Sequence, residues 1–207
     1  MTDPGSRRRR EAALAGHRGD EASARALIAD PEPGVRATAL SALARMGRAT
    51  DSDVLGALLD PDAGVRKRAC EVAGRLGALS AAPATIEGLV GRLADAEPAV
   101  VEAAAWALGE HGGAAARPAA LDGLAAVARA HDDPLCREAA VAALGAVGDR
   151  RGLPAILAAT ADKPAVRRRA VLALAPFDGS EVSEALQRAR HDRDWQVRQA
   201  AEDLLED

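Results

Sequence analysis

Apolar and polar positions alternate along this chain with helical spacing, and they do so in a frame that repeats. The run Asp30-Pro31-Glu32-Pro33-Gly34-Val35-Arg36 leads into Ala39, Leu43 and Gly47, and the same frame returns at Asp60-Pro61-Asp62-Ala63-Gly64-Val65-Arg66 with Ala69 and Gly77. Six copies follow one another, centred on Val35, Val65, Val100, Cys136, Val166 and Val197, with steps of 30, 35, 36, 30 and 31 residues. Every copy has Ala four places after its centre, and five of six have Leu eight places after it. At 100° per residue, positions +4, +7, +8 and +11 share one face, so each copy predicts an amphipathic helix with that face buried. An Ala at every +4 predicts close helix crossings, since a larger side chain would push the backbones apart.

The ends of these helices are marked as well. Pro33, Pro98, Pro134 and Pro164 stand two places before a centre, where a missing N–H costs nothing, and the residue before the helix is usually acidic (Glu32, Asp62, Glu97, Asp133). Gly47, Gly77, Gly112 and Gly148 fall at +12 and predict left-handed helix stops. Between these B helices, shorter amphipathic segments predict partner A helices over 21–29, 51–59, 86–94, 119–130, 153–161 and 181–189. Thr50 with Asp53 has the spacing of a capping box. The two long steps come from small-residue loops at 78–84 and 113–117, which lengthen connections without adding an element. The prediction is all-α: an α-solenoid of about six helical hairpins in one domain, 19–207, preceded by a basic segment and capping helix over 1–18.

The D-P-x-x-x-V-R-x-x-A-x-x-A-L pattern, as at Asp30–Leu43 and Asp60–Ala73, resembles the HEAT repeat, in particular the short HEAT-like repeats of the phycobilisome-lyase type. The resemblance covers about residues 20–207. It implies a right-handed superhelix whose B helices line a concave surface, and a role as a protein-binding scaffold or adaptor. It implies no reaction. Copy three departs from the pattern, with Val101 where the others have Arg36, Arg66, Arg137, Arg167 and Arg198.

Composition narrows the function classes. Alanine supplies 53 of 207 residues and Trp, Phe and Tyr together only three, so aromatic packing does not build the core. Such scarcity also argues against handling of extruded bases, which needs stacking surfaces, and a net charge of −4 argues against coating nucleic acid. No apolar run approaches the ~18 residues of a membrane span, and the Arg-rich start runs into too short an apolar stretch for a signal peptide. Two cysteines are too few for a disulfide framework and fit a reducing cytoplasm; no metal or cofactor motif accompanies them.

Residues unique to one copy are the better site candidates, because recurring ones serve the repeat. The recurring Arg at +1 and the Asp residues Asp30, Asp60, Asp95 and Asp192 fit a structural ladder between repeats. Trp106, at +6, lies well away from the buried face in a column otherwise holding Ser41, Glu71, Ala142, Leu172 and Asp203. As an exposed indole it fits an interface anchor, with Val101 and Leu172 extending an apolar patch. Alternatively it folds over the next repeat and fills space left by alanines. Trp195, just before the last B helix, reads as a structural plug. Arg68 and Arg169 sit in basic clusters at equivalent positions, either a solvated edge or a grip on an acidic peptide. Both cysteines read as core thiols, and Glu102, Glu110 and Glu138 as solubilising surface. His17, His111, His131 and His191 stand at helix ends or turns, with no catalytic motif around them.

The expected function is a non-enzymatic protein-binding scaffold, its contacts centred on Trp106, Val101, Leu172, Arg68 and Arg169. The expected partner is a protein or peptide, with an acidic surface if the arginines do the gripping. A lyase-like or chaperone-like subunit handling a prosthetic group is the alternative that the family resemblance raises, and binding of nucleic acid through the basic clusters is a weaker one.

Overall fold

Proline opens seven of the helices, as its fixed φ and missing N–H allow at a first turn, and the elements then run close to the predicted frame. The computed structural model describes residues 3–77 and 82–206, and every regular element among them is helical. In chain order these are α1 (Pro4–Arg18), α2 (Glu21–Ala26), α3 (Pro33–Arg45), α4 (Asp51–Leu58), α5 (Ala63–Leu76), α6 (Pro83–Arg92) and α7 (Pro98–Glu110). There follow α8 (Pro118–Ala130), α9 (Pro134–Val147), α10 (Leu153–Ala159), α11 (Pro164–Ala173), α12 (Ser180–Ala189) and α13 (Trp195–Glu206).

The helices stack in two layers. Each odd-numbered helix packs on the next odd one, from α1 on α3 through α11 on α13, and forms the B layer. Each even-numbered A helix packs on the B helix that follows it, so the hairpin is the repeating unit of this solenoid. The segment expected as a capping helix, α1, joins the B layer and packs on α3.

Local chemistry explains the boundaries. Thr50 and Asp53 form the predicted capping box, each side chain accepting from the other's backbone N–H. Gly47 and Gly148 end their helices at φ 66° and 68°, a conformation that costs a residue with a Cβ. The connection after Gly112 does add an element, a short 3₁₀ turn over Gly112–Ala115 that buries Ala115. In the loop predicted at 78–84, residues 78–81 lie outside the described residues, and α6 starts earlier than expected, at Pro83.

The +4 alanines are all fully buried. Neighbouring B helices also approach closely further along, where +9 meets +7 of the next copy. A Cβ on Gly109 would stand 3.1 Å from the Ala143 Cα, and one on Gly145 2.8 Å from the Ala173 Cα. Glycine against alanine lets the backbones nearly touch, and this pitch brings each exposed stripe of the B layer beside the next.

A ladder of charge pairs fixes the register of the stack. Arg36 donates from Nε and Nη2 to the two carboxylate oxygens of Asp60 in the next repeat, at 2.8 and 2.6 Å. Its Nη1 donates to the carbonyls of Asp30 and Pro31 in its own loop. The same fork joins Arg66 to Asp95, Arg137 to Asp162 and Arg167 to Asp192, and Arg8 of α1 to Asp30. Such bidentate pairs combine charge with fixed geometry. The guanidinium hydrogen bonds hold the Asp95, Asp162 and Asp192 carboxyls below the usual carboxylate range.

One rung is missing, and both halves of it are replaced. Val101 stands at the arginine position of copy three, and His131 at the aspartate position of copy four. His131 retains one of the aspartate's two interactions, since its Nδ1 accepts from the Asp133 N–H at 3.1 Å, as Asp95 accepts from the Glu97 N–H. Val101 is 0% exposed, which corrects its expected place in a surface patch. The +1 position points into the seam between repeats, so an apolar residue there becomes core.

Candidate functional site

Along α7 the outward positions are Glu102, Trp106 and Glu110, one turn apart, while Val101, Ala103, Ala104, Ala105, Ala107 and Leu108 are buried. Trp106 cannot be covered by its own helix, and it leans on the previous repeat. A Cβ on Gly74 of α5 would lie 2.5 Å from its Cζ3 and 2.9 Å from its Cη2, so the ring edge occupies the space that glycine leaves open. The indole remains 39% exposed. It is therefore both braced and accessible: it folds over the preceding repeat, not the next one.

The free side of Trp106 borders a groove of about 470 Å³ running across α7, α9 and α11. Ala139, Ala142 and Ala146 of α9 make a flat floor, and Leu135, 56% exposed, stands at its edge. Glu102 and Glu110 flank the indole, Glu138 rises from α9 and Arg169 reaches in from α11. Arg169 donates to Glu138 at 3.3 Å, so these two charges answer each other. Glu102 and Glu110 have no ion-pair partner among the described residues.

On the other side of Trp106, a cleft of about 200 Å³ meets Lys67 and Glu71 of α5, which pair with each other at 3.5 Å. Further toward the start of the chain, Ser41, Arg45, Arg68 and Arg75 line a third cleft, of about 410 Å³, that no carboxylate lines. The B-helix face thus changes sign between α5 and α7.

The expected contact residues divide accordingly. Trp106 and Arg169 meet in one groove. Leu172 is 39% exposed on α11, one turn past Arg169 and outside the groove lining. Arg68 faces the α3–α5 cleft and is held by Glu71 of its own helix. Val101 faces the core. Leu135 is absent from the expected set, although its column at −1 otherwise holds Gly34, Gly64, Ala99, Ala165 and Gln196, so it too is the one large apolar residue of its kind. Trp195, expected as a plug, is 65% exposed at the first position of α13.

Groups with chemical potential lie elsewhere and are shut away. Burial pushes the Cys70 thiol up to about 12 and the Cys136 thiol up to about 11; Cys136 also donates to the Pro98 carbonyl at 3.2 Å. His111 fills the +11 position, held by Met46, Leu76, Val147 and Phe177 in other copies, and neither ring nitrogen has a hydrogen-bond partner. Its burial lowers its pKa. Among the described residues no group of His, Cys, Asp and Glu has the arrangement of a metal site, and no helix is long and apolar enough to cross a membrane.

A stack of hairpins with an exposed, sign-changing B-helix face defines a helical-repeat protein. HEAT repeats are matched over residues 21–109, 52–139 and 121–206, and the chain belongs to that family. No curated protein sequence matches it. Among solved structures it is similar to a designed armadillo repeat protein in complex with the peptide (KR)4, with 18% identity, 99% of each chain covered and a TM-score of 0.63. It is also similar to a chain in the complex of CpcE and CpcF of phycocyanin lyase from Nostoc sp. PCC7120, with 23% identity, 87% of this chain and 74% of that one covered and a TM-score of 0.62. A Kap121p mutant shares 15% identity over 95% of this chain and 24% of that one, with a TM-score of 0.71. At these identities the likeness is one of fold.

Proposed function

We propose that this chain is a non-enzymatic scaffold that binds a segment of another protein along its B-helix face, with Trp106 as the anchor. The observation that carries this reading is the indole itself, braced against Gly74 yet open to a groove of about 470 Å³. A large aromatic group already held in one orientation loses little freedom on binding, and a partner meets a surface ordered by folding. Leu135 and the alanine floor supply apolar area next to it, and Arg169 with Glu138 supplies a polar rim. That a designed armadillo repeat protein of similar fold is found with a peptide supports the reading. The absence of a catalytic role is part of the same proposal: the two thiols are buried and held protonated, and His111 has no neighbour to work with.

The test pairs wild type with Trp106→Ala as bait against a lysate of the native host. Proteins retained by wild type and lost by the variant, with helical content unchanged, are the expected result. Equal capture by both removes Trp106 from the interface and the proposal with it.

A further inference from the structure

We infer that the Trp106 groove selects a cationic segment, a stretch of partner chain that presents Lys or Arg side chains to Glu102, Trp106 and Glu110. The inference rests on the scaffold reading and adds the chemistry of the partner to it.

The charges inside the groove do not balance. Of its four charged residues, Arg169 and Glu138 pair at 3.3 Å, which leaves Glu102 and Glu110 uncompensated. These two carboxylates stand one turn before and one turn after the indole on the same exposed stripe. An aromatic face attracts a cation through its quadrupole, and a carboxylate forks with a guanidinium or accepts from an ammonium. An indole with a carboxylate on either side offers both interactions to one long basic side chain.

Helix physics does not favour Glu110 where it stands. It is the last residue of α7, where the carbonyl end of the helix disfavours negative charge. In the equivalent +10 position, α3 and α5 carry Arg45 and Arg75, the sign that a helix end prefers. A carboxylate kept against that preference, exposed and unpaired beside the Trp106 indole, fits a ligand's charge better than it fits the fold.

The neighbouring clefts set limits. Toward the start of the chain, Arg45 and Arg75, which no carboxylate pairs among the described residues, line the α3–α5 cleft and repel a basic segment. Toward the end, the alanines of α9 and Leu135 give neutral, apolar ground. The segment therefore places its basic residue over α7 and an apolar residue over α9.

The test is selection of short peptides from a displayed random library on the full chain, with Trp106→Ala and the double variant Glu102→Gln, Glu110→Gln as parallel baits. The expected winners are enriched in Lys and Arg, lose binding to Trp106→Ala, and bind the double glutamine variant about threefold to tenfold more weakly. Their affinity also falls when salt is raised from about 50 mM to about 500 mM. Winners that depend on Trp106 but are neutral or acidic, or that bind the glutamine variant as well as wild type, overturn the cationic inference and leave the scaffold reading standing. A library that yields no Trp106-dependent peptide overturns the scaffold reading, and this inference with it.

Discussion

The ring edge of Trp106 lies over the bare Cα of Gly74, one repeat earlier, so closely that a methyl group there would sit 2.5 Å from Cζ3. The anchor residue and the glycine form one device, in which missing volume on α5 gives the indole a seat on α7.

Gly74→Ala therefore has a defined cost. The new methyl meets the indole and also the Ala107 Cα at 3.0 Å, so the ring must tilt into the groove or the two helices must move apart. Overpacking of this kind costs about 1–3 kcal/mol. Trp106→Ala alone, losing a half-buried ring, costs about 1–2 kcal/mol. In the double variant the two costs are less than additive, because the ring is no longer there to clash. Urea unfolding of the four proteins measures this, and strict additivity would show that the two side chains do not share the space.

The missing rung can be rebuilt. Val101→Arg alone puts a cation into a seam where His131 stands in the place of the ladder aspartate, at a cost of about 2–4 kcal/mol. Adding His131→Asp supplies the partner in the position that Asp60 and Asp95 occupy in their repeats. The double variant should recover at least half of the loss. No recovery would mean that the gap reflects a different seam geometry at this step of the stack.

Acid should lower the protein's stability in two stages. His111 has a lowered pKa, so below the usual imidazole value of ~6.5 the unfolded chain takes up a proton first. Its share of stability is complete above that pH and falls as pH drops toward the folded-state value. The ladder carboxyls Asp95, Asp162 and Asp192 also have lowered pKa values, so their stabilisation is present above about pH 4 and is lost as pH falls through their folded values. His111→Leu, which restores the residue type of Leu76 in that column, should abolish the upper stage and leave the lower one. Tm measured from pH 7 to pH 3 decides it; an unchanged profile would exclude His111 as the upper titrating group.

Native thiols should be silent. With Cys70 pushed up to about 12 and Cys136 to about 11, hardly any thiolate exists near pH 8, and both side chains are buried. A thiol reagent should modify neither in the folded protein and both in urea. Fast labelling of either one in the native state would place it at a working surface.

Much of this was legible in the order of residues. The +4 alanines, most of the +12 glycines and the prolines at helix starts follow from the 100° turn of a helix and from which residues tolerate its ends, so the hairpins and their number were readable without coordinates, whereas α6 starts earlier than expected and Gly77, at φ 24° and ψ −114°, is not the left-handed stop expected there. The Arg–Asp ladder was also legible, because a residue pair recurring in register serves the repeat itself. Uniqueness within a column marked Trp106, and the same rule applied at −1 would have marked Leu135. Val101 misled because its column is apolar only once, and a break in a polar column reads as surface when the seam around it is unknown.

What the sequence by itself determined is the period: local turn geometry and side-chain size repeat every 30 to 36 residues, and that suffices to specify a stack of helices. What only the tertiary structure decided is which side chains meet across the stack. Gly74 and Trp106 are 32 positions apart, Glu138 and Arg169 are 31, and their encounters depend on how closely one helix backbone approaches the next. That distance is set by glycine and alanine packing at +9 and +7, summed over both layers. No window of sequence shorter than two repeats contains it, and it is this spacing that leaves two carboxylates unpaired beside an open indole.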